Sequence, residues 1–224
     1  MRVTQNVLIG LALALLSVPA LGAQDLSHYR AFSLGSTLGE VAKHANATPD
    51  QVQTLYRSPA LIQQLALWPI AAGDAEAGSE TVQQMQLNFS NGVLYRIVVI
   101  YRTAATQGFT NEDMIAAISP SYGLATRPLV DAKLPPSFGF GNSDAPIASW
   151  QDAQYSVVLS RSALSQSFQL VVLSKSLQEQ ADAAIAAAVA QNLADAPQRE
   201  DARVKKEAQD IESLREANLK AFRP

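Results

Sequence analysis

The clearest hydrophobic pattern in the chain is an alternation around Met85, Leu87 and Phe89, each separated from the next by a polar residue. This period of two predicts a strand with one buried face. Asn91-Gly92 follows and favours a two-residue hairpin turn, because such a turn needs positive φ at both positions. The second strand, residues 93–101, is apolar on both faces, which predicts a central strand covered on both sides.

The two-residue turn predicts the register of this hairpin. Phe89 then lies opposite Leu94, and Met85 lies opposite Val98. The face of the second strand that points away from Met85 holds mostly large apolar and aromatic side chains: Val93, Tyr95, Ile97, Val99 and Tyr101. Aromatic residues on an open sheet face often anchor a partner. The alternative is that the C-terminal helix covers this face.

Capping motifs predict two helices. Residues 37–40 form a Thr-x-x-Glu capping box, and the helix that follows ends near Asn46. Residues 110–113 cap a second helix, which ends near Pro120 or Gly123. Each of the two strand-rich parts of the chain is therefore preceded by a helix.

The segment between the first helix and the first hairpin is harder to assign. Thr48-Pro49 predicts another helix start, with a helical turn that reaches Tyr56. Residues 61–68, which end in Trp68, fit a strand or a helical turn.

The order of elements then repeats. Residues 147–150 form a short segment ending in Trp150, and residues 155–160 and 168–174 form a second hairpin. We interpret the order as a tandem duplication of an α-β-β-β unit. The predicted fold class is α+β, with two tandem helix-plus-antiparallel-sheet units at residues 24–103 and 104–175.

A helical extension, residues 176–224, follows the two units. Residues 178–196 are rich in alanine, the strongest helix former, and Pro197 is expected to break the run. About half of residues 198–223 are charged, and a thin apolar stripe contains Val204, Ala208, Ile211 and Leu214. This pattern predicts an exposed helix, with self-association through the stripe as a further possibility.

The N-terminus has the three parts of a secretory signal peptide over residues 1–23. Arg2 supplies the positive charge, and residues 7–16 form an apolar run too short to span a membrane. Small residues follow, and cleavage after Gly22 fits them best, with cleavage after Ala20 or Ala23 fitting less well. An uncleaved N-terminal anchor is the alternative.

Composition narrows the destination and the partners. The chain contains no cysteine, so it has neither a disulfide nor a lipidated N-terminal cysteine. Its formal net charge is −3, which gives no electrostatic footprint for nucleic acid. No second apolar segment approaches membrane-spanning length. We therefore expect a periplasmic or secreted protein with no membrane span after signal cleavage.

The residues that could carry chemistry are few. His28 and His44 are the two histidines, and neither belongs to a zinc motif. The chain has no Gly-x-Ser-x-Gly motif, and its glycine-rich spots complete no phosphate loop. We predict no metal and no cofactor. The alternative is a hydrolase with a serine or carboxylate site in the loop at residues 127–146.

Two short motifs resemble a known family of exported bacterial proteins. They are the segment FSLGSTLGEV at residues 32–41 and the hairpin segment LNFSNGVL at residues 87–94. With the tandem layout over residues 30–175, they resemble the β-lactamase-inhibitor-protein-like fold, whose single-unit relatives are the SmpA/OmlA outer-membrane assembly lipoproteins. Members often carry disulfides or a lipidated cysteine, which this chain lacks. The resemblance implies a non-enzymatic, protein-binding scaffold.

The expected function is accordingly that of an exported, non-enzymatic binding or scaffold protein. It would contact another protein or an envelope component through a sheet face or through the C-terminal helix. The candidate binding residues are the aromatic ones near the predicted sheet: Trp68, Tyr95, Tyr101 and Trp150.

Overall fold

The computed structural model describes residues 24–68, 81–126 and 144–223. The predicted signal peptide at residues 1–23 and residues 127–143 of the predicted long loop lie outside the described residues. For residues 144 and 145 only the backbone is described.

Three α-helices and nine strands form the described structure. The helices are α1 (Leu38–His44), α2 (Asn111–Tyr122) and α3 (Lys175–Ala221). The strands are β1 (His28–Tyr29), β2 (Phe32–Ser33), β3 (Val52–Tyr56), β4 (Ile62–Leu67), β5 (Val82–Ser90), β6 (Val93–Tyr101), β7 (Asp144–Gln151), β8 (Tyr155–Ser162) and β9 (Phe168–Ser174).

Seven strands form one antiparallel sheet in the order β3-β4-β5-β6-β9-β8-β7, and β1 and β2 form a separate two-stranded sheet. β3-β4-β5-β6 lead from one edge of the sheet to its centre, and β7-β8-β9 lead to the centre from the other edge. β6 and β9 pair at the centre, where Val98 lies opposite Val171. The predicted α+β class is confirmed.

Local sequence explains the starts of α1 and α2 and the turn of the first hairpin. The Thr37 hydroxyl accepts the Glu40 N–H at 3.3 Å, and the Glu40 carboxylate accepts the Thr37 N–H at 2.8 Å. Thr110 and Asp113 make the same reciprocal pair at the start of α2. Asn91 has φ 50° and its neighbour glycine has φ 78°, as a type I′ turn requires. These three sequence predictions are confirmed.

The main core lies on one face of the large sheet, hereafter the helix face. α1 contributes Val41 and α2 contributes Met114, Ile118 and Tyr122 to this core. The strands contribute the alternating apolar residues that include Met85, Leu87, Phe89, Leu170 and Val172. The opposite face, hereafter the α3 face, is contacted by the first part of α3.

The prediction of a helical turn reaching Tyr56 is wrong. Thr48-Pro49 starts only a three-residue 3₁₀-helix, Pro49–Gln51, and the chain then enters β3. Val52, Thr54 and Tyr56 are β-formers at alternate positions, and pairing with β4 outweighs the weak start of a helix. Residues 61–68, for which a strand and a helical turn were both open, contain the strand β4.

The prediction that Pro197 breaks the C-terminal helix is also wrong. α3 is 47 residues long, about 70 Å, and it continues without a break through Pro197. Proline removes one backbone donor from this turn. The carbonyl that loses this donor is that of Leu193. Beside it, the Arg199 guanidinium donates to the Asn192 carbonyl at 2.6 Å and to the Asn192 amide oxygen at 3.2 Å.

Candidate functional surface

A β-bulge at Tyr95 changes the predicted faces of β6. Phe89 lies opposite Leu94 as predicted, but the next pair is Asn88 with Arg96, so that Tyr95 is an extra residue. The register beyond the bulge is shifted by one. Ile97, Val99 and Tyr101 therefore lie on the helix face with Met85, and Tyr95 lies on the α3 face. The prediction that Tyr95 and Tyr101 share one face is wrong.

Tyr95 is covered by α3 and is only 1% exposed. It packs with Ile62 from β4 and Ala181 from α3. The Arg96 guanidinium lies over its ring, 5.5 Å from the centroid. Burial raises the pKa of the Tyr95 hydroxyl and lowers the pKa of Arg96, while the negative charge of Asp182 on α3 acts on Arg96 in the opposite direction. Tyr95 and Arg96 thus belong to the contact that holds α3 on the sheet.

Tyr101 is part of the core on the helix face, where it is 9% exposed. Its pKa is raised well above the usual value, first by burial and then by the neighbouring Tyr29. The nearby Tyr122 donates from its hydroxyl to the His28 carbonyl at 2.8 Å. This hydrogen bond and the tyrosine contacts fix the N-terminal segment to the core.

The buried tyrosines make the stability of the fold sensitive to high pH. Burial raises the pKa of both Tyr101 and Tyr122 in the folded state, whereas tyrosine in the unfolded chain titrates near pH ~10. The stabilising contribution is therefore fully present below pH ~10 and is lost as the pH rises toward the folded pKa. We expect the free energy of unfolding to fall above pH ~10 in urea titrations followed by circular dichroism.

The variant Tyr101→Phe tests whether the Tyr101 hydroxyl causes this loss of stability at high pH. Phenylalanine keeps the ring in the core and removes the titrating hydroxyl. The decline of unfolding free energy with rising pH should be shallower in Tyr101→Phe than in the wild type. Equal slopes in the two proteins would show that Tyr101 does not contribute.

The two tryptophans lie in contrasting environments. Trp150 in β7 is 1% exposed, contacts the Tyr122 ring at 6.2 Å between centroids, and donates from Nε1 to the Gly123 carbonyl at 2.9 Å. Trp68, directly after β4, is 59% exposed. The structure does not bring the four candidate aromatics onto one open surface, because three of them are buried. Their role in binding stays a prediction.

Each histidine lies near hydroxyl and carboxylate groups. His28 Nδ1 is 3.1 Å from the Asp25 carboxylate, which also accepts the Ser27 N–H at 2.8 Å and a bond from the Ser27 side chain. Both Ser27 and His28 thus contact the Asp25 carboxylate. A catalytic triad needs the serine bonded to the imidazole, so this cluster is not arranged as one.

His44 is at the exposed end of α1, beside a cavity of about 250 Å³. Ser33, Ser36 and Glu40 also line this cavity. Glu40 caps the helix, since one oxygen of its carboxylate accepts both the N–H and the hydroxyl of Thr37, at 2.8 and 2.9 Å. These Thr37 bonds are also the main cause of the lowered pKa of Glu40. The role best supported for this cluster is helix capping, with the basic His44 near the negative end of the helix dipole.

The outer part of α3 is the largest exposed element of the described structure. Residues 196–223 are all exposed, whereas Ala181 and Ala188 near the start of the helix are buried. Salt bridges along the helix, such as Arg215 to Glu212 at 2.6 Å, support it.

Large apolar side chains remain exposed on this outer part of α3. Val204, Ile211 and Leu214, hereafter the tail stripe, lie within a narrow arc of the helix and are more than half exposed. The predicted exposed helix with an apolar stripe is confirmed. The structure therefore leaves the tail stripe, and not the sheet face around Tyr95, open to a partner.

Sequence reasoning missed a second open feature, the outer edge of β3. β3 is an edge strand of the large sheet, and α3 passes beside it. The signal for a strand was the alternation of Val52, Thr54 and Tyr56, which the Thr-Pro helix start obscured.

Across the described ranges, no group of three or more histidine, aspartate or glutamate residues is arranged to hold a metal ion. None of the helices in the described part of the chain is both long and apolar enough to cross a membrane. Comparisons with protein-family models, with curated proteins and with solved structures find no match for this chain.

Proposed function

We propose that this protein is an exported, non-enzymatic binding or scaffold protein that contacts another protein through the outer part of α3. The observation that carries the proposal is the tail stripe, Val204, Ile211 and Leu214, exposed on a helix that projects beyond the residues packed on the sheet. An amphipathic helix of this kind fits into an apolar groove of a partner. Export is proposed from the signal-peptide pattern of residues 1–23.

The rest of the fold supports this assignment of roles. The first part of α3 is anchored to the sheet by Ala181, Tyr95 and Ile62, so the tail extends from a fixed base. The charged residues around the stripe are of mixed sign, including Arg203, which bonds both Glu200 and Glu207. Such a helix can stay in solution and still present an apolar stripe. In this proposal the sheet with its packed helices is the scaffold, and the outer part of α3 makes the contact with the partner.

The decisive experiment compares two double variants of the full chain. Ile211→Asp with Leu214→Asp places charges in the tail stripe, and Gln209→Asp with Ser213→Asp places the same charges on the opposite side of the same turns. Burial of each large apolar side chain contributes about 1.5–3 kcal/mol, so the stripe variant should bind its partner at least ~100-fold more weakly. The control variant should bind as the wild type does.

Binding is measured first by retention from envelope extract and then with the purified retained protein by calorimetry. Equal affinity of the stripe variant and the wild type for that protein would overturn the proposal. Failure of the wild type to retain anything beyond the stripe variant would overturn it too. Sedimentation of the wild type and the stripe variant distinguishes a second copy of this chain from a different partner.

A further inference from the structure

A groove of about 360 Å³ lies between the end of β3 and the middle of α3. One of its walls is formed by five consecutive residues, 54–58. Successive side chains of a strand point to opposite faces of the sheet. Residues 54–56 of this wall are the last residues of β3, with an irregularity of register between Thr54 and Tyr56, and residues 57 and 58 follow the strand. The strand part of the wall is therefore the edge of β3, with its backbone groups, rather than one face of side chains.

The other wall is a single stripe of α3. Ala188, Gln191, Asn192 and Asp195 have the spacing i, i+3, i+4 and i+7, which places them on one side of the helix. The small, buried Ala188 leaves space in the groove. The amide side chains carry both a donor and acceptors, as a peptide bond does. This wall offers hydrogen bonds of the type that a polypeptide backbone needs.

The direction of the β3 backbone follows from the neighbouring strands. The carbonyl of Leu61, just before β4, accepts from the Asn91 N–H beside β5 at 2.8 Å. Successive residues of a strand direct their backbone groups to opposite sides, so Gln64 is directed toward β3, where its partner is Gln53. Thr54 is then directed outward, into the groove. Its outward N–H and carbonyl have no hydrogen bond within the described part of the chain.

We propose that this groove binds an extended peptide segment of a partner protein, which adds a strand to the outer edge of β3 at Thr54. Strand addition to an open sheet edge is a recurrent mode of peptide recognition, with affinity from main-chain hydrogen bonds. This site is separate from the tail stripe, and its test does not depend on the proposed function.

The charges of the groove define the peptide further. Arg57 and Asp195 place one charge of each sign along it. A peptide with one acidic and one basic side chain complements both, whereas a uniformly charged peptide is repelled by one of them. The structure thus assigns the groove to a mixed-charge extended peptide.

The test uses phage-displayed random ten-residue peptides as the probe, selected against the full chain. The most enriched sequence is synthesised with blocked ends, and its affinity is measured by calorimetry. Thr54→Pro removes the outward N–H, and proline is tolerated on an edge strand whose N–H faces solvent. Thr54→Val keeps the N–H and the approximate shape. We expect Thr54→Pro to weaken binding at least ~10-fold and Thr54→Val to change it less than ~2-fold.

Methylation of the peptide's own backbone nitrogens gives a second measurement on the unaltered protein. In strand addition only alternate nitrogens of the peptide face β3, so affinity should fall for the nitrogen that meets the Thr54 carbonyl and not for the nitrogens on either side of it. That pattern sustains the proposal even if Thr54→Pro fails to fold. Failure of any peptide to be enriched, equal binding by a folded Thr54→Pro, or indifference to methylation at every position would each overturn it. Enriched peptides of a single charge sign would overturn the assigned chemistry.

Discussion

Replacing Trp150 with alanine is expected to lower the free energy of unfolding by about 3–5 kcal/mol. Trp150 is fully enclosed in the core on the helix face, where its ring meets Tyr122. The substitution removes that packing and leaves a cavity. It also leaves the Gly123 carbonyl without the indole N–H that it accepts at 2.9 Å. Urea unfolding followed by far-ultraviolet circular dichroism measures the change without relying on tryptophan emission.

Trp68→Ala is the matched control for this prediction. Trp68 is the other tryptophan of the chain, and its side chain is mostly exposed. Its removal should alter the free energy of unfolding by no more than about 0.5 kcal/mol. If Trp150→Ala were as mild as Trp68→Ala, the enclosed position of Trp150 would be wrong, and a surface role for it would again be open.

Ala181→Asp is expected to have the second large effect, a loss of about 3–5 kcal/mol. Ala181 has no exposed surface and packs in one cluster with Tyr95 and Ile62. A carboxylate at this position is buried against apolar side chains, and aspartate is too short to reach water past them. The contact between α3 and the sheet should open, which is measured as lower stability and as faster hydrogen exchange in residues 175–188.

Ala183→Asp tests whether this effect comes from burial. Ala183 is two residues further along α3 and is exposed. The two variants add the same charge to the same helix and have the same cost in helix propensity. Only Ala181→Asp should open the contact with the sheet. Similar losses in both variants would indicate a general weakening of α3 rather than the loss of its packing.

Local sequence determined the parts of the fold that depend on local interactions. The capping pairs at Thr37 and Thr110 and the turn at Asn91-Gly92 are formed by residues three or fewer apart, so their patterns are sufficient to predict them. The pairing of β8 with β9 follows in the same way from two runs of β-formers separated by a short loop.

The bulge at Tyr95 could not be predicted, because no local pattern distinguishes it. Arg96 and Tyr95 are both suited to a strand, and the extra residue is stabilised by distant contacts with Ile62 and Ala181. One inserted residue changes the face of every later side chain, which is why the predicted aromatic face does not exist. Similarly, pairing with β4 makes β3 a strand, although Thr48-Pro49 resembles a helix start.

For the candidate sites, the sequence predicted the surface that depends on one helix and missed the one that depends on two elements. The tail stripe follows from helical spacing alone, as at Ile211 and Leu214. The groove between Thr54 and Asp195 joins segments that are far apart in the chain. Its existence depends on where α3 crosses the edge of the sheet, which is a property of the tertiary fold.

The central pairing of β6 with β9 has a consequence for the order in which the chain is made. β6 is nine residues long and mostly apolar, and its inner edge is closed only by a strand that begins at Phe168. During synthesis from the N-terminus, the completed first hairpin therefore has an edge with unpaired backbone N–H and carbonyl groups until more than 60 further residues have followed. The sheet can be completed only after these residues have been synthesised. The edge of β6 is thus paired only once β9 has been made, and a shortened chain ending near Tyr101 would be prone to aggregate.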